Sequence, residues 1–267
     1  MKKHWYILPP AVAGVLTAAV RIRAVKQGVD PNTGILTGSH TLMNLSFGLI
    51  AGFCLLWFLI SFARRRVKAC CFAPLDTTAY KMLLVLSAFS LMLSGAFFFF
   101  EFSQSTASLL TLVQALFSIL CGVCVLMSFR CRTSPQVYSF CSLVPVFHSA
   151  FSLLLFYRGN NANPLTYSFA AELFAYLCCM FSFYSVAAFL FSKPRPRLFL
   201  FSSLSALYFL ITILLSDNLL PGFTYGHLHF TVADILLLVG YLLLILAHLI
   251  SFERPAAPAA VSENTAE

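Results

Sequence analysis

An all-α bundle crossing a membrane about eight times is the fold class this sequence predicts, and three observations carry it. The 267 residues are 60% hydrophobic and only 10% charged, whereas a soluble domain is nearer half apolar and about a quarter charged. Mean hydropathy is +0.88. Eight apolar runs each approach the ~20 residues that cross a hydrocarbon core of about 30 Å. A membrane β-barrel would show apolar and polar residues alternating in pieces of about ten. These runs are apolar all round, which leaves the helix as the spanning element.

The first run, 5–25, follows Lys2 and Lys3 like a signal peptide. It is too long for one and ends in Arg21 and Arg23 without a small-x-small site, so it reads as an uncleaved span. The second, 42–63, comes after the turn Asp30-Pro31-Asn32-Thr33-Gly34 and carries Gly48-x-x-x-Gly52. That spacing lets helices approach closely: packing within the chain is its first use, and a homodimer or protein-partner seam the alternative. Runs three and four are 82–100 and 109–129. The fifth, 137–157, holds Pro145 and His148; the sixth, 166–191, holds Glu172 and follows the polar turn 159–164. The seventh is 198–216. The eighth, 231–252, opens with Thr231-Val232-Ala233-Asp234, the S/T-x-x-D/E signature of a helix start. Residues 253–267 are polar and rich in Pro and Ala and read as a disordered cytoplasmic tail. Residues 1–252 form a single bundle.

Orientation follows from Lys and Arg, which concentrate in short cytoplasmic loops. One side collects Lys2, Lys3, Arg64, Arg65, Arg66, Lys68, Lys81, Arg130, Arg132, Lys193, Arg195, Arg197 and Arg254, and the other only Arg21, Arg23, Lys26 and Arg158. Both termini are expected in the cytoplasm and the chain in a plasma membrane. Topology accounts for the net charge of +8, so no nucleic-acid partner is invoked; the expected partner is the lipid bilayer.

The motifs exclude several chemistries. No two of the 12 glycines are closer than four positions, so the dinucleotide and serine-elbow signatures cannot occur, and a P-loop is absent. H-E-x-x-H and adjacent carboxylates are absent too. Six of the 9 cysteines fall in spans and three in basic loops, so disulfides are not expected. Cys121-Gly122-Val123-Cys124 has metal-ligand spacing but no second pair. No metal or cofactor is expected, His227 and His229 being only weak metal candidates. No convergent catalytic set emerges, and the reading leans away from an enzyme.

What remains is polarity at membrane depth, where a charge costs about 2.5–3.5 kcal/mol on insertion scales. His148 and His248 are the candidate titratable groups. His148 lies near the midplane, just after Pro145, which frees a backbone carbonyl one turn earlier. Arg21 and Arg23 fall at the outer end of the first run, at a depth comparable with Glu172 and Asp234. These four form a candidate outer ionic cluster, with a structural ion-pair network as the competing reading.

Residues 30–36, the stretch from Leu143-Val144-Pro145 through Arg158, Asn163-Pro164 to Glu172-Leu173, and Lys193-Pro194-Arg195-Pro196-Arg197 together resemble an uncharacterised family of polytopic membrane proteins of gut Firmicutes. The resemblance implies about eight helices in a bacterial inner membrane and carries no activity. His148 departs from it, standing where a bulky apolar residue is expected. Three function classes follow: a small-solute or ion transporter or channel, a sensor or assembly partner, and, last, a membrane enzyme.

Overall fold

The computed structural model describes residues 5–28, 40–63, 71–72, 78–104, 108–128, 135–160, 169–218 and 231–253. His227, His229, the basic residues 64–68 and 130–132, and the tail beyond Glu253 lie outside the described residues. A 3₁₀ turn, Trp5–Ile7, leads into α1 (Leu8–Gly28), followed by α2 (His40–Ala63), α3 (Thr78–Gln104) and α4 (Leu109–Met127). Then come α5 (Pro135–Cys141), α6 (Leu143–Asn160), α7 (Phe169–Leu190), α8 (Pro196–Asn218) and α9 (Val232–Ile250). Two short strands, β1 (Cys71–Phe72) and β2 (Phe252–Glu253), pair antiparallel with Cys71 opposite Glu253. Glu253, which the sequence assigns to the tail, is thus tied to the chain that follows α2.

Six helical units are long and apolar enough to cross a membrane: α3, α4, the α5–α6 unit over Gln136–Gly159, α7, Pro196–Ser216 of α8, and α9. In α2 the apolar stretch is shorter, Gly48–Ile60. The outward faces are bare hydrocarbon. Phe89 and Leu154 are each 65% exposed, in a belt that water would not tolerate on a monomer.

The fifth predicted run is broken where chemistry demands it. Pro145 has no N–H for the carbonyl of Cys141 one turn back, and α5 ends at Cys141 while α6 starts at Leu143. The Ser142 N–H bonds the Tyr138 carbonyl and its hydroxyl donates to the Ser139 carbonyl, which closes the broken turn.

Helix α8 is the hub. Every residue from 202 to 210 is buried, with α1, α2, α7 and α9 packed around it. At membrane depth burial gains little from hydrophobicity, so close approach and interhelical hydrogen bonds do the fastening. On α3, Ser87, Ser90 and Ser94 donate to the carbonyls of Gly240, Leu236 and Ala233 on α9, at 2.8, 2.7 and 2.7 Å. The spacing of three and four puts all three hydroxyls on one face. The other side of α3 meets α4 at two glycines: a Cβ on Gly95 would stand 2.7 Å from the Ala115 carbonyl, and one on Gly122 would stand 2.5 Å from Met92 Cγ. By contrast, a Cβ on Gly48 or Gly52 meets nothing within 4 Å. The G-x-x-x-G of α2 therefore does not serve packing among the described residues, contrary to its first expected use.

Ser192 ends α7 in the left-handed region, φ 58°. The Lys193 N–H bonds back to the Ala188 carbonyl, and Pro196 then opens α8, where its missing N–H is harmless.

Candidate functional site

His148 is fully buried and both of its ring nitrogens are engaged. Nδ1 lies 3.0 Å from the hydroxyl of Tyr241 on α9. Nε2 lies 2.9 Å from Ser118 Oγ and 3.4 Å from Gln114 Nε2, both on α4. The Gln114 amide donates to Ser152 Oγ at 2.8 Å; Ser152 in turn donates to the His148 carbonyl at 2.9 Å and stands 3.3 Å from the Tyr241 hydroxyl. Three helices thus contribute five polar side chains to one cluster among apolar neighbours. Gln114 and Ser118, like His148 and Ser152, are four residues apart and so share a helix face.

The network assigns the proton on the neutral ring. With hydrogen on Nδ1, His148 donates to Tyr241, Tyr241 to Ser152, and both Ser118 and the Gln114 amide donate to Nε2. With hydrogen on Nε2 instead, the ring would donate to Ser118 Oγ and accept from Tyr241, but its N–H would also face the Gln114 N–H at 3.4 Å. The first tautomer avoids that donor–donor approach, and it leaves the basic lone pair on Nε2. One acceptor is still unmet: Gln114 Oε1 is buried and has no hydrogen-bond partner among the described residues, a costly condition in a dry interior.

A small cleft of about 30 Å³ lies at the end of the bundle that carries Lys193, Arg195 and Arg197, and none of the five cluster residues lines it. The break at Ser142 helps to form it, since Cys141, Ser142 and Pro145 line it together with Cys124, Ser128, Tyr138, Phe183 and His248. His248 is therefore not part of the His148 cluster. Phe183 separates them. Its ring meets Tyr241 edge-on at 5.3 Å between centroids and His248 at 6.2 Å, so the polar cluster lies behind this phenylalanine as seen from the cleft.

The outer candidates are placed as follows. Arg21 and Glu172 are buried, at 2% and 3% exposure, whereas Arg23 is exposed. Asp234 is half-buried and occupied by its own helix: Oδ2 accepts from the Thr231 N–H at 3.1 Å and hydroxyl at 3.0 Å, and the Asp234 N–H returns to Thr231 Oγ1. Thr231 and Asp234 thus form a capping box on α9. The contacts Ser182 to Ser203 (2.7 Å) and Tyr208 to Thr17 (3.0 Å) set α7 and α1 against α8, which brings Arg21 and Glu172 to the same end. Among the described residues no group of three or more His, Cys, Asp or Glu is placed to hold a metal ion.

Sequence reasoning found His148 but not its companions. The i, i+4 pairs Gln114/Ser118 and His148/Ser152 are the signal that the sequence offers for them.

Six helices of spanning length and an apolar outer belt make the chain a helical, multi-pass membrane protein. Comparison with family models, curated proteins and solved structures finds no match.

Proposed function

We propose that the chain is an ion-coupled carrier of a small solute, with His148 as the group that takes up a proton. The observation that carries this reading is the unmet Gln114 Oε1 beside a ring nitrogen whose lone pair already points at the same amide. Protonation of Nε2 turns an acceptor into a donor, and turning the Gln114 amide by half a rotation offers it Oε1. A charge at that depth is expensive, so proton uptake favours a state in which water enters from the cleft past Phe183. Differential affinity of this kind is what lets an ion drive a conformational change.

In this reading α1 and α2 complete eight spans, both termini are cytoplasmic in a bacterial inner membrane, and the cleft opens to the cytoplasm, on the evidence of the Lys/Arg bias. Arg21 and Glu172 fasten the opposite end as a structural pair. Gly48 and Gly52, which face open space, are where a second copy would dock. An assembly-partner role is the alternative, and it does not call for a buried polar cluster set one phenylalanine away from a cleft.

The test is proton flux into proteoliposomes loaded with a pH-sensitive dye. The wild-type chain should acidify the lumen faster than empty vesicles, His148→Gln should fall to the empty-vesicle rate, and Phe183→Ala should leak faster than wild type. Equal rates for wild type and His148→Gln would remove the proposal.

A further inference from the structure

The same cleft holds a second chemistry-bearing group that the proton reading does not use. Cys124 on α4 and Cys141 at the end of α5 share the wall of this cleft. Both are half-buried. The C-x-x-C of the sequence suggested Cys121 as the partner of Cys124, but Cys121 is fully buried and does not line it. The cysteine that shares the cleft with Cys124 is instead Cys141, which the break before Pro145 leaves at the end of α5.

We infer that Cys124 and Cys141 form a two-coordinate site for a soft monovalent cation of the Cu(I) class. Two thiols that line one small cleft can reach a single ion held between them. Thiolates select soft ions over hard ones. No third or fourth ligand is assembled among the described residues, which is unsuited to the four-coordinate demand of zinc and sufficient for a d¹⁰ monovalent ion in linear geometry. The step balances without any redox partner: two thiols and one M⁺ give the bis-thiolate complex, of charge −1, and two protons that leave through the cleft. The metal keeps its oxidation state. The product anion sits at the end of the bundle that carries Lys193, Arg195 and Arg197, where negative charge is favoured. The site does not rest on the carrier reading, because it needs neither His148 nor transport.

Silver(I) is the probe, since it shares the charge and softness of Cu(I) and does not cycle. Full-length protein, reduced and kept anaerobic in detergent, is loaded with Ag(I) and washed with an excess of glutathione to strip ions held by single thiols. Native mass spectrometry should show one more silver, with two protons lost, on wild type and Cys121→Ala than on Cys124→Ala or Cys141→Ala. Equal retention by all four proteins, or loss in Cys121→Ala as well, would overturn the site. A second measurement needs no variant: phenylarsine oxide condenses with a close dithiol, two S–H hydrogens leaving with its oxygen as water. Peptide mapping of wild type should recover an arsenic bridge between the 124 and 141 peptides. Its absence would overturn the inference even if a variant failed to fold.

Discussion

The Tyr241 hydroxyl stands 3.0 Å from His148 Nδ1 and 3.3 Å from Ser152 Oγ, so one phenol ties α9 to two positions on α6. Removing it leaves Nδ1 with a hydrogen and no acceptor. Tyr241→Phe should therefore destabilise by about 1–2 kcal/mol, towards the upper end for hydrogen bonds measured in membrane proteins. A double-mutant cycle with His148→Phe, read by thermal melting in detergent, should show coupling above the ~0.5 kcal/mol that separates independent sites.

Helix α3 sits against α4 with no room at Gly95 and Gly122. Gly122→Ala places a methyl group 2.5 Å from Met92 and 2.8 Å from the Ala88 carbonyl, and overpacking of this kind costs about 1–3 kcal/mol. Gly52→Ala, which meets nothing within 4 Å, should leave the melting temperature unchanged or raise it slightly through helix propensity. Equal melting of the two variants would show that the α3–α4 contact is looser than described. A monomer–dimer equilibrium that shifts only in Gly52→Ala would place a second copy on α2.

At the opposite end, Glu172→Gln should cost on the order of 3 kcal/mol if its carboxylate neutralises Arg21, as for one side of a buried pair. Combining it with Arg21→Gln should recover much of the loss. Arg23 is exposed, and Arg23→Gln should change stability by less than about 0.5 kcal/mol. Additivity of Glu172→Gln and Arg21→Gln would eliminate the pairing.

Reporter fusions check the frame. Fusions after Lys68, Arg132 and Arg197 should read cytoplasmic, and fusions after Glu101 and Arg158 external, because the Lys/Arg excess sets orientation. An external reading after Arg197 would invert the bundle and turn the cleft outward.

Much of this architecture was legible in the chain because a membrane imposes a one-dimensional rule. Apolar run length marks the helices, and the six spanning units fall on runs three to eight. The fifth run reads as one span, with Pro145 only freeing a carbonyl, and the structure splits it there. The capping box at Thr231 and Asp234 was plain, since it involves residues three apart. What the sequence could not give was which helix faces which. Tyr241 and His148 are 93 residues apart, and Cys124 and Cys141 sit on different helices, so their placement depends on how α4, α5, α6 and α9 pack. Arg21 and Arg23 show the same limit at shorter range: two residues apart, one points inward and the other out, and apolar run length is blind to that choice. Among the described residues Gly48 and Gly52 carry a packing motif that is left open, whereas Gly95 and Gly122, which belong to no packing motif, make the tightest approaches.

The proton assignment at His148 is the point on which the carrier reading turns, and ring-nitrogen NMR of ¹⁵N-histidine-labelled protein, with the His148→Gln spectrum subtracted, measures it directly. At neutral pH the hydrogen should be on Nδ1 and Nε2 should show the shift of an unprotonated nitrogen accepting a hydrogen bond; on acidification Nε2 should protonate reversibly while the protein stays folded. A hydrogen found on Nε2 at neutral pH, or a ring that never takes a second proton before unfolding, would contradict the assignment of His148 as the ion-binding group.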